Sequence, residues 1–192
     1  MTPVSKLDVY EVAYLCGGPQ RVALAAVVAM EQDGRIKISR TRHRVQIAHR
    51  TAGHPVEQAV LAAVPDSGQV LGPVLHDVAH SAALAELIDG LRQHGLVGHH
   101  SLTGHPHLSA AGRQARKELE DSGPKVARDW RVAVLGASGI ADAVLRDIVQ
   151  TPDPPPGGRL VAKARKHEKP GPYPGFPADQ SISEYPGISG RW

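Results

Sequence analysis

The chain has 192 residues, 41% of them hydrophobic, but it contains only one Phe, two Trp and four Tyr, so a core must be built mainly from Ala, Val, Leu and Ile. Its net charge is +3, and residues 1–150 carry 16 Lys and Arg against 15 Asp and Glu, a balance that lacks the strong positive field of a typical nucleic-acid-binding domain. Cys16 is the only cysteine, which excludes an intrachain disulfide and a thiolate metal cluster.

The first predicted unit, about residues 7–50, contains two helices and a hairpin. Asp8 caps the first helix and a pair of glycines ends it, and the second helix runs from Pro19 to about Gln32. Apolar and polar residues then alternate in the segments RIKIS and RVQIA, with a polar turn between them, which is typical of a β-hairpin. Two helices followed by a hairpin predict a winged-helix-like unit.

The hairpin is also the strongest local charge feature of the sequence. Between Gly34 and Glu57 there are six basic residues and no acidic one. A basic wing contacts phosphates and so supplies affinity for nucleic acid without reading bases. The candidate nucleic-acid-binding residues are Arg35, Lys37, Arg40, Arg42 and Arg44.

A second winged-helix-like unit is predicted over residues 54–121. Residues 84–119 resemble the ending of many winged-helix regulators, in which a long helix ends in GLV, a wing follows, and an LTxxG turn opens the last helix. The helix SAALAELIDGLRQHG shows Glu86 and Asp89 on its polar side and only one arginine, although helices that read bases need Arg, Lys, Asn or Gln near their N-termini. This unit therefore favours contact with protein over contact with DNA.

A closing helical block, residues 129–150, completes a predicted body of residues 7–150. Residues 151–192 follow as a Pro-rich tail with eight prolines between Pro152 and Pro177, and we predict that this tail is disordered because burial of so few aliphatic residues cannot offset its chain entropy. Aromatic side chains in such a tail suit docking into the groove of a partner. The candidate docking residues are Tyr173, Phe176, Tyr185 and Trp192.

The block LDVYEVAYLCGGPQRV resembles the opening domain of a family of uncharacterised actinobacterial proteins, often labelled membrane proteins, whose typical form is L-x-P-Y-E-V-A-Y-L-x-G-G-P-x-R-V. The stretch VAVLGASGIADAVLRDIV resembles the second recurring block of that family, so the resemblance extends over residues 7–150. No transmembrane pattern follows in this chain, and the Pro-rich tail stands in its place. The resemblance implies no activity. The residues that match the opening block are Leu7, Tyr10, Glu11, Val12, Ala13, Tyr14, Leu15, Gly17, Gly18, Pro19, Arg21 and Val22.

Three motifs have chemical interpretations that we weigh against simpler ones. The turn Gly136-Ala137-Ser138-Gly139 suits a dinucleotide site if VAVL is a strand, but Asp142 stands where the third glycine belongs, which favours a coincidental match. His76 and His80 share a helix face without a third ligand, which favours two partly exposed histidines. A denser histidine group spans the second wing and suits adventitious Zn²⁺ or Ni²⁺ binding, without requiring a biological metal site; it comprises His94, His99, His100, His105 and His107.

No serine, cysteine or carboxylate pair has the spacing of a catalytic site. We therefore predict no catalytic residue, no metal and no cofactor. The sequence predicts a mainly α protein with short β-hairpins, tandem winged-helix-like units and a disordered tail. We expect a cytoplasmic, non-enzymatic regulatory or adaptor protein that binds a protein partner and no membrane, and the oligomeric state stays open. The alternative is a winged-helix DNA-binding transcriptional regulator that contacts phosphates through its basic wing.

Overall fold

Helix α1 (Val9–Gln32) is the centre of the fold in the computed structural model, which describes residues 6–98, 107–122 and 130–154. The Asp8 carboxylate accepts the first free N–H groups of the helix, and Glu11 accepts the N–H of Asp8, which makes a capping box. Gly18 takes φ +69° directly before Pro19 and breaks the helix into two segments. These segments correspond to the two helices expected on either side of the glycine pair.

The side chains of α1 are buried on most sides, because several of the later helices pack against it. In the part of the chain that the structure describes, α1 is also the one helix long and apolar enough to cross a membrane. Most of its apolar stretch lies inside the body, which is equally the property of a core helix. Length and composition alone therefore do not decide whether α1 crosses a membrane.

A small antiparallel sheet follows α1 and contains strands β1 (Ile36–Ser39), β2 (Arg44–Ile47) and β3 (Gln69–Val70), in the order β1-β2-β3. The predicted hairpin is thus confirmed, with Ile36 opposite Ile47 and the buried side chains of Ile36 and Val45 directed into the core. β2 also pairs with β3, so the hairpin belongs to the same sheet as a strand from the predicted second unit.

The remaining helices surround α1. Val97 and Leu108 form only an isolated bridge where the sequence analysis expected a strand and a wing, and residues 99–106 lie outside the described ranges. All described residues belong to one compact unit, Met1–Pro155. The predicted mainly helical class with a short hairpin is thus confirmed. The α-helices after α1 in the described residues are α2 (Pro55–Ala63), α3 (Leu71–Ala79), α4 (Ala82–Gln93), α5 (Ala110–Ser122), α6 (Arg131–Leu135) and α7 (Ala143–Gln150).

Helix α6 packs against α1 through an arginine of α1. The Arg21 guanidinium donates to the carbonyl oxygens of Ala133 (3.3 Å) and Val134 (2.8 Å), which belong to the last turn of α6. It occupies the space beside Gly17 and Gly136, where any Cβ would lie under 3 Å from Arg21 atoms. The opening block and the closing block therefore meet at one side chain.

Candidate interaction surfaces

An open groove lies between α2 and the N-terminus of α4. Its volume is about 570 Å³, and small side chains form most of its floor because the two helices present alanines toward each other. Asp77 of α3 and Glu86 of α4 stand among the lining residues, whereas no Lys or Arg does. The full lining is Pro55, Gln58, Ala59, Ala62, Ala63, Asp77, Ser81, Ala82, Ala83 and Glu86.

The one hydroxyl group that lines this groove is engaged in the fold. Ser81 is its only hydroxyl residue, and that side chain already caps α4 by accepting the N–H of Leu84 while its hydroxyl donates to the Val78 carbonyl oxygen. Alanine side chains allow the backbone of a partner to approach closely, and two carboxylates favour a partner with positive charge. This groove was not predicted from the sequence, although alanines recur at helical spacing in both α2 and α4.

Of the five candidate phosphate-contacting residues, Arg35 is engaged inside the protein. Its two terminal nitrogens donate to both carboxylate oxygens of Glu57, at 2.6 and 3.0 Å, and one of them also donates to Asp33 at 2.7 Å. The Arg35 side chain is only 16% exposed. A bidentate, mostly buried ion pair of this kind is a structural contact, so a phosphate would have to compete with Glu57.

Arg44 also serves the fold. Its guanidinium donates to the carbonyl oxygens of Ser67 (2.8 and 3.0 Å) and Gly68 (3.0 Å), and thereby holds the turn before β3 against β2. Arg50, the sixth cation of the segment, pairs with Asp66 on the surface. Half of the positive charges between Gly34 and Glu57 therefore have partners within the chain.

Lys37, Arg40 and Arg42 remain as the exposed cations of the hairpin. Lys37 lies in β1 opposite the exposed Gln46, and the two arginines lie in the β1–β2 turn. None of the three has a hydrogen bond or ion pair to another residue within the described ranges. The structure thus brings three of the five candidates to the surface, two in the hairpin turn and one in β1.

Helix α4 is the helix that would read bases if the second unit bound DNA. Its arginine, Arg92, donates to Asp89 at 2.6 Å, and Glu86 lines the groove. The polar surface of α4 thus carries carboxylates and one paired arginine. Such a surface repels DNA phosphates.

A buried polar cluster that the sequence analysis did not identify joins α1, β1 and α2. The Tyr10 hydroxyl donates to Glu57 at 2.8 Å, and the Gly53 N–H donates to the same carboxylate at 2.7 Å. The Arg35 hydrogen bonds are the largest cause that lowers the pKa of Glu57 to about 2, and burial, followed by the Glu57 hydrogen bond, raises the pKa of Tyr10. The Tyr10 ring also lies 4.5 Å from that of His54.

This cluster borders a cavity of about 420 Å³ whose walls include Val28 of α1 and Val132 of α6. All of its charged groups are paired with one another, and the one unsatisfied nitrogen, Arg35 Nε, is buried away from solvent. We therefore interpret the cluster as a structural ion pair that fixes the hairpin against α2, with Tyr10 linking α1 to it. Tyr10 belongs to the PYEVAY-like block, but nothing in the sequence indicates its pairing with Glu57.

Among the described residues, the histidine motifs form no ligand set. The rings of His76 and His80 stack with their centroids 4.3 Å apart, and His80 Nδ1 lies 2.7 Å from the His76 carbonyl oxygen. In the described ranges no group of three or more His, Cys, Asp or Glu is placed to hold a metal ion. His94 Nδ1 lies 3.8 Å from Glu11 Oε1. His107 is the first residue of the described range 107–122. His99, His100 and His105 are outside the described residues.

The segment VAVL is helical, because it lies within α6 and leads into a 3₁₀ turn, Gly136–Gly139. A dinucleotide-binding turn requires a strand at this place, whereas the helix agrees with the helical prediction for this segment and with a coincidental match. Asp142, which replaces the third glycine, instead caps α7 by accepting the N–H of Val144. Cys16 is buried, and burial raises the pKa of its thiol to about 11.

The four aromatic residues predicted to dock into a partner, Tyr173, Phe176, Tyr185 and Trp192, lie outside the described residues, as does the tail from Pro155 onward.

Comparisons of the chain with protein-family models, with curated proteins and with solved structures found no match.

Proposed function

We propose that this protein is a non-enzymatic regulatory or adaptor protein of the cytoplasm that acts through protein–protein contacts. The observation that carries the proposal is the open groove between α2 and α4, which is lined by alanines and bordered by carboxylates. A groove of this kind accepts a helix or an extended segment through backbone proximity and shape.

The partner of this groove is a protein segment that carries Lys or Arg beside small apolar side chains. Asp77 and Glu86 attract the basic groups, and the exposed Ala62 and Ala82 leave room for the backbone.

The order of elements supports a winged-helix-like second unit, and with it a contact module. Helix α2, strand β3, helices α3 and α4, the Val97–Leu108 bridge and helix α5 follow one another as in a winged helix. β3 pairs with β2 of the hairpin, so we propose that the first and second units share one sheet rather than stand as independent modules. Membership in the actinobacterial family with the PYEVAYL-x-GGP block remains part of the same proposal.

The test replaces Ala62 by a photo-reactive amino acid and identifies the protein crosslinked in an extract of the native host. The same crosslinker at Ala111, an exposed alanine of α5 outside the groove, is the matched control. The partner so identified is then purified, and its affinity is measured for wild-type protein, Ala62→Arg and Ala111→Arg. Arginine at position 62 fills the groove and repels a basic partner.

We expect Ala62→Arg to weaken binding of the partner at least about tenfold, which is the effect of removing one central interaction, and Ala111→Arg to leave the affinity unchanged. Glu86→Lys should act in the same direction as Ala62→Arg. Equal affinities for all variants would move the interface away from the groove. Turnover of a small molecule by the purified protein would contradict the non-enzymatic assignment.

The second candidate function is nucleic-acid binding, as a transcriptional regulator with a basic wing. The observation that favours it is the exposed Arg40 and Arg42 at the hairpin turn, together with Lys37. The wing would bind phosphates and contribute no base readout, and the acidic surface of α4 would have to face away from the DNA.

A further inference from the structure

The N-terminus of α3 has no cap of its own. Val70 precedes the helix and its side chain cannot accept a hydrogen bond. The N–H of Leu71 donates to the His43 carbonyl oxygen at 2.8 Å, and Pro73 has no N–H. The remaining first-turn donor of α3 is therefore the N–H of Gly72, and a free N–H at this position attracts an anion.

A carboxylate from the end of the body occupies this position. Asp153 Oδ2 accepts the N–H of Gly72 at 2.7 Å, although the two residues are 81 positions apart. A Cβ on residue 72 would collide with this same oxygen where it now lies, so glycine lets the carboxylate approach the backbone closely. The other oxygen, Oδ1, lies 3.4 Å from His43 Nδ1.

His43 supplies an independent sign that the place is built for an anion. Its side chain is only 10% exposed, and its Nδ1 is buried without a hydrogen-bond partner while it faces the Asp153 carboxylate. Buried polar atoms without a partner are rare in folded proteins. An anion with more oxygens than a carboxylate would satisfy Nδ1 and the Gly72 N–H together.

We propose that the N-terminus of α3 and His43 form a phosphate-binding site, which Asp153 fills in the absence of a ligand. The ligand is a phosphate group, either free phosphate or a phosphate monoester. Its oxygens would replace those of Asp153, accepting from the Gly72 N–H and from His43. Arg42, an exposed cation next to His43 in the chain, adds favourable charge. This site does not depend on the adaptor function proposed above.

Asp153 competes with the ligand, and the competition is strong because a tethered group acts at an effective concentration on the order of millimolar. Removal of the carboxylate should therefore expose the site. In full-length Asp153→Gly, the amide signal of Gly72 and the ring signals of His43 should shift in NMR spectra on addition of inorganic phosphate. The dissociation constant should be at least about tenfold lower than for the wild type.

Three comparisons make the result specific. Asp153→Gly combined with His43→Gln should not show the gain, because the imidazole is absent. AMP tests a monoester and adenosine is its phosphate-free control, with chloride keeping the ionic strength constant. Shifts with AMP and not with adenosine support a monoester ligand, and shifts with inorganic phosphate alone support free phosphate.

Asp153→Asn is the second variant if Asp153→Gly does not fold, since the amide oxygen of Asn still accepts the Gly72 N–H while the negative charge is gone. It too should bind phosphate more tightly than the wild type. The proposal is overturned if phosphate and AMP leave the Gly72 amide unmoved in the folded variant, or if the His43→Gln change has no effect on the measured affinity.

Discussion

Arg21 of α1 donates to the carbonyl oxygen of Val134 in the last turn of α6, at 2.8 Å. A cation at the C-terminal end of a helix stabilises the carbonyl groups that have no partner within the helix. The hydrogen bond links two segments that are more than a hundred residues apart in the chain, and the arginine leaves no space for a side chain at Gly17 or Gly136.

Changes at Arg21 and Gly136 should be coupled. Arg21→Met removes two hydrogen bonds from a charged donor, and we expect a loss of about 2 kcal/mol in the free energy of unfolding. Gly136→Ala places a Cβ 2.7 Å from Arg21 Cζ in a backbone with φ +66°, and should cost about 2 kcal/mol as well. Urea unfolding of the single and double variants measures the coupling.

The double variant should lose less stability than the sum of the two single losses, because Met at position 21 removes the collision and only the backbone strain remains. Strictly additive losses would show that Arg21 does not occupy the space beside Gly136.

The buried pair of Glu57 and Arg35 should make stability depend on acid. The pKa of Glu57 is lowered to about 2 in the folded protein, from an ordinary value near 4.5, mainly by hydrogen bonds from Arg35. A lowered carboxyl pKa contributes stability that is fully present above the unfolded value and is lost as the pH falls through the folded value. The wild type should therefore lose this contribution between about pH 4.5 and pH 2.

Glu57→Gln removes the charge and should cost about 3 kcal/mol at pH 7, because Arg35 is left without its main partner. Its unfolding free energy should then change less than that of the wild type between about pH 4.5 and pH 2. Asp121→Asn, which changes an exposed carboxylate of α5, is the control and should follow the wild-type curve. Parallel acid profiles for Glu57→Gln and wild type would contradict the lowered pKa.

The basic turn is tested by Arg40→Ala with Arg42→Ala. If the hairpin binds DNA, the double variant should bind duplex DNA more weakly at low salt, and the slope of log K against log salt should fall by about 0.9 for each phosphate that the variant no longer neutralises. Lys117→Ala with Arg131→Ala removes the same charge from α5 and α6 and serves as the control. A gel-shift without any complex at low salt for the wild type would end the nucleic-acid alternative.

Two truncations separate the tail from the body. A chain that ends at residue 155 keeps Asp153 and should unfold at the same urea concentration as the full chain, because residues Met1–Pro155 contain the compact unit. A chain that ends at residue 152 keeps Thr151, which caps α7, but lacks the hydrogen bond from Gly72 to Asp153, and removal of such a cap should cost about 1 kcal/mol. Equal stability for both truncations would show that Asp153 contributes nothing to α3.

Periodicity in the sequence predicted the helices and the hairpin, because these elements depend on local spacing of apolar residues and on caps such as Asp8. The break at Gly18 was predictable for the same reason, since glycine followed by proline interrupts a helix locally. Whether the two predicted units are separate was not a local property. It depended on which strand pairs with β2, and the pairing with β3 joins distant segments of the chain.

The charge pattern of the hairpin shows the same division between local and distant information. Residue order alone was enough to show that positive charges concentrate between Gly34 and Glu57. Which of these charges are free depends on folding, because Arg35 meets Glu57 and Arg44 meets Ser67 when segments that lie far apart along the chain come together. The alanine groove and the hydrogen bond between Gly72 and Asp153 also depend on folding, because each brings together residues that are distant in the sequence.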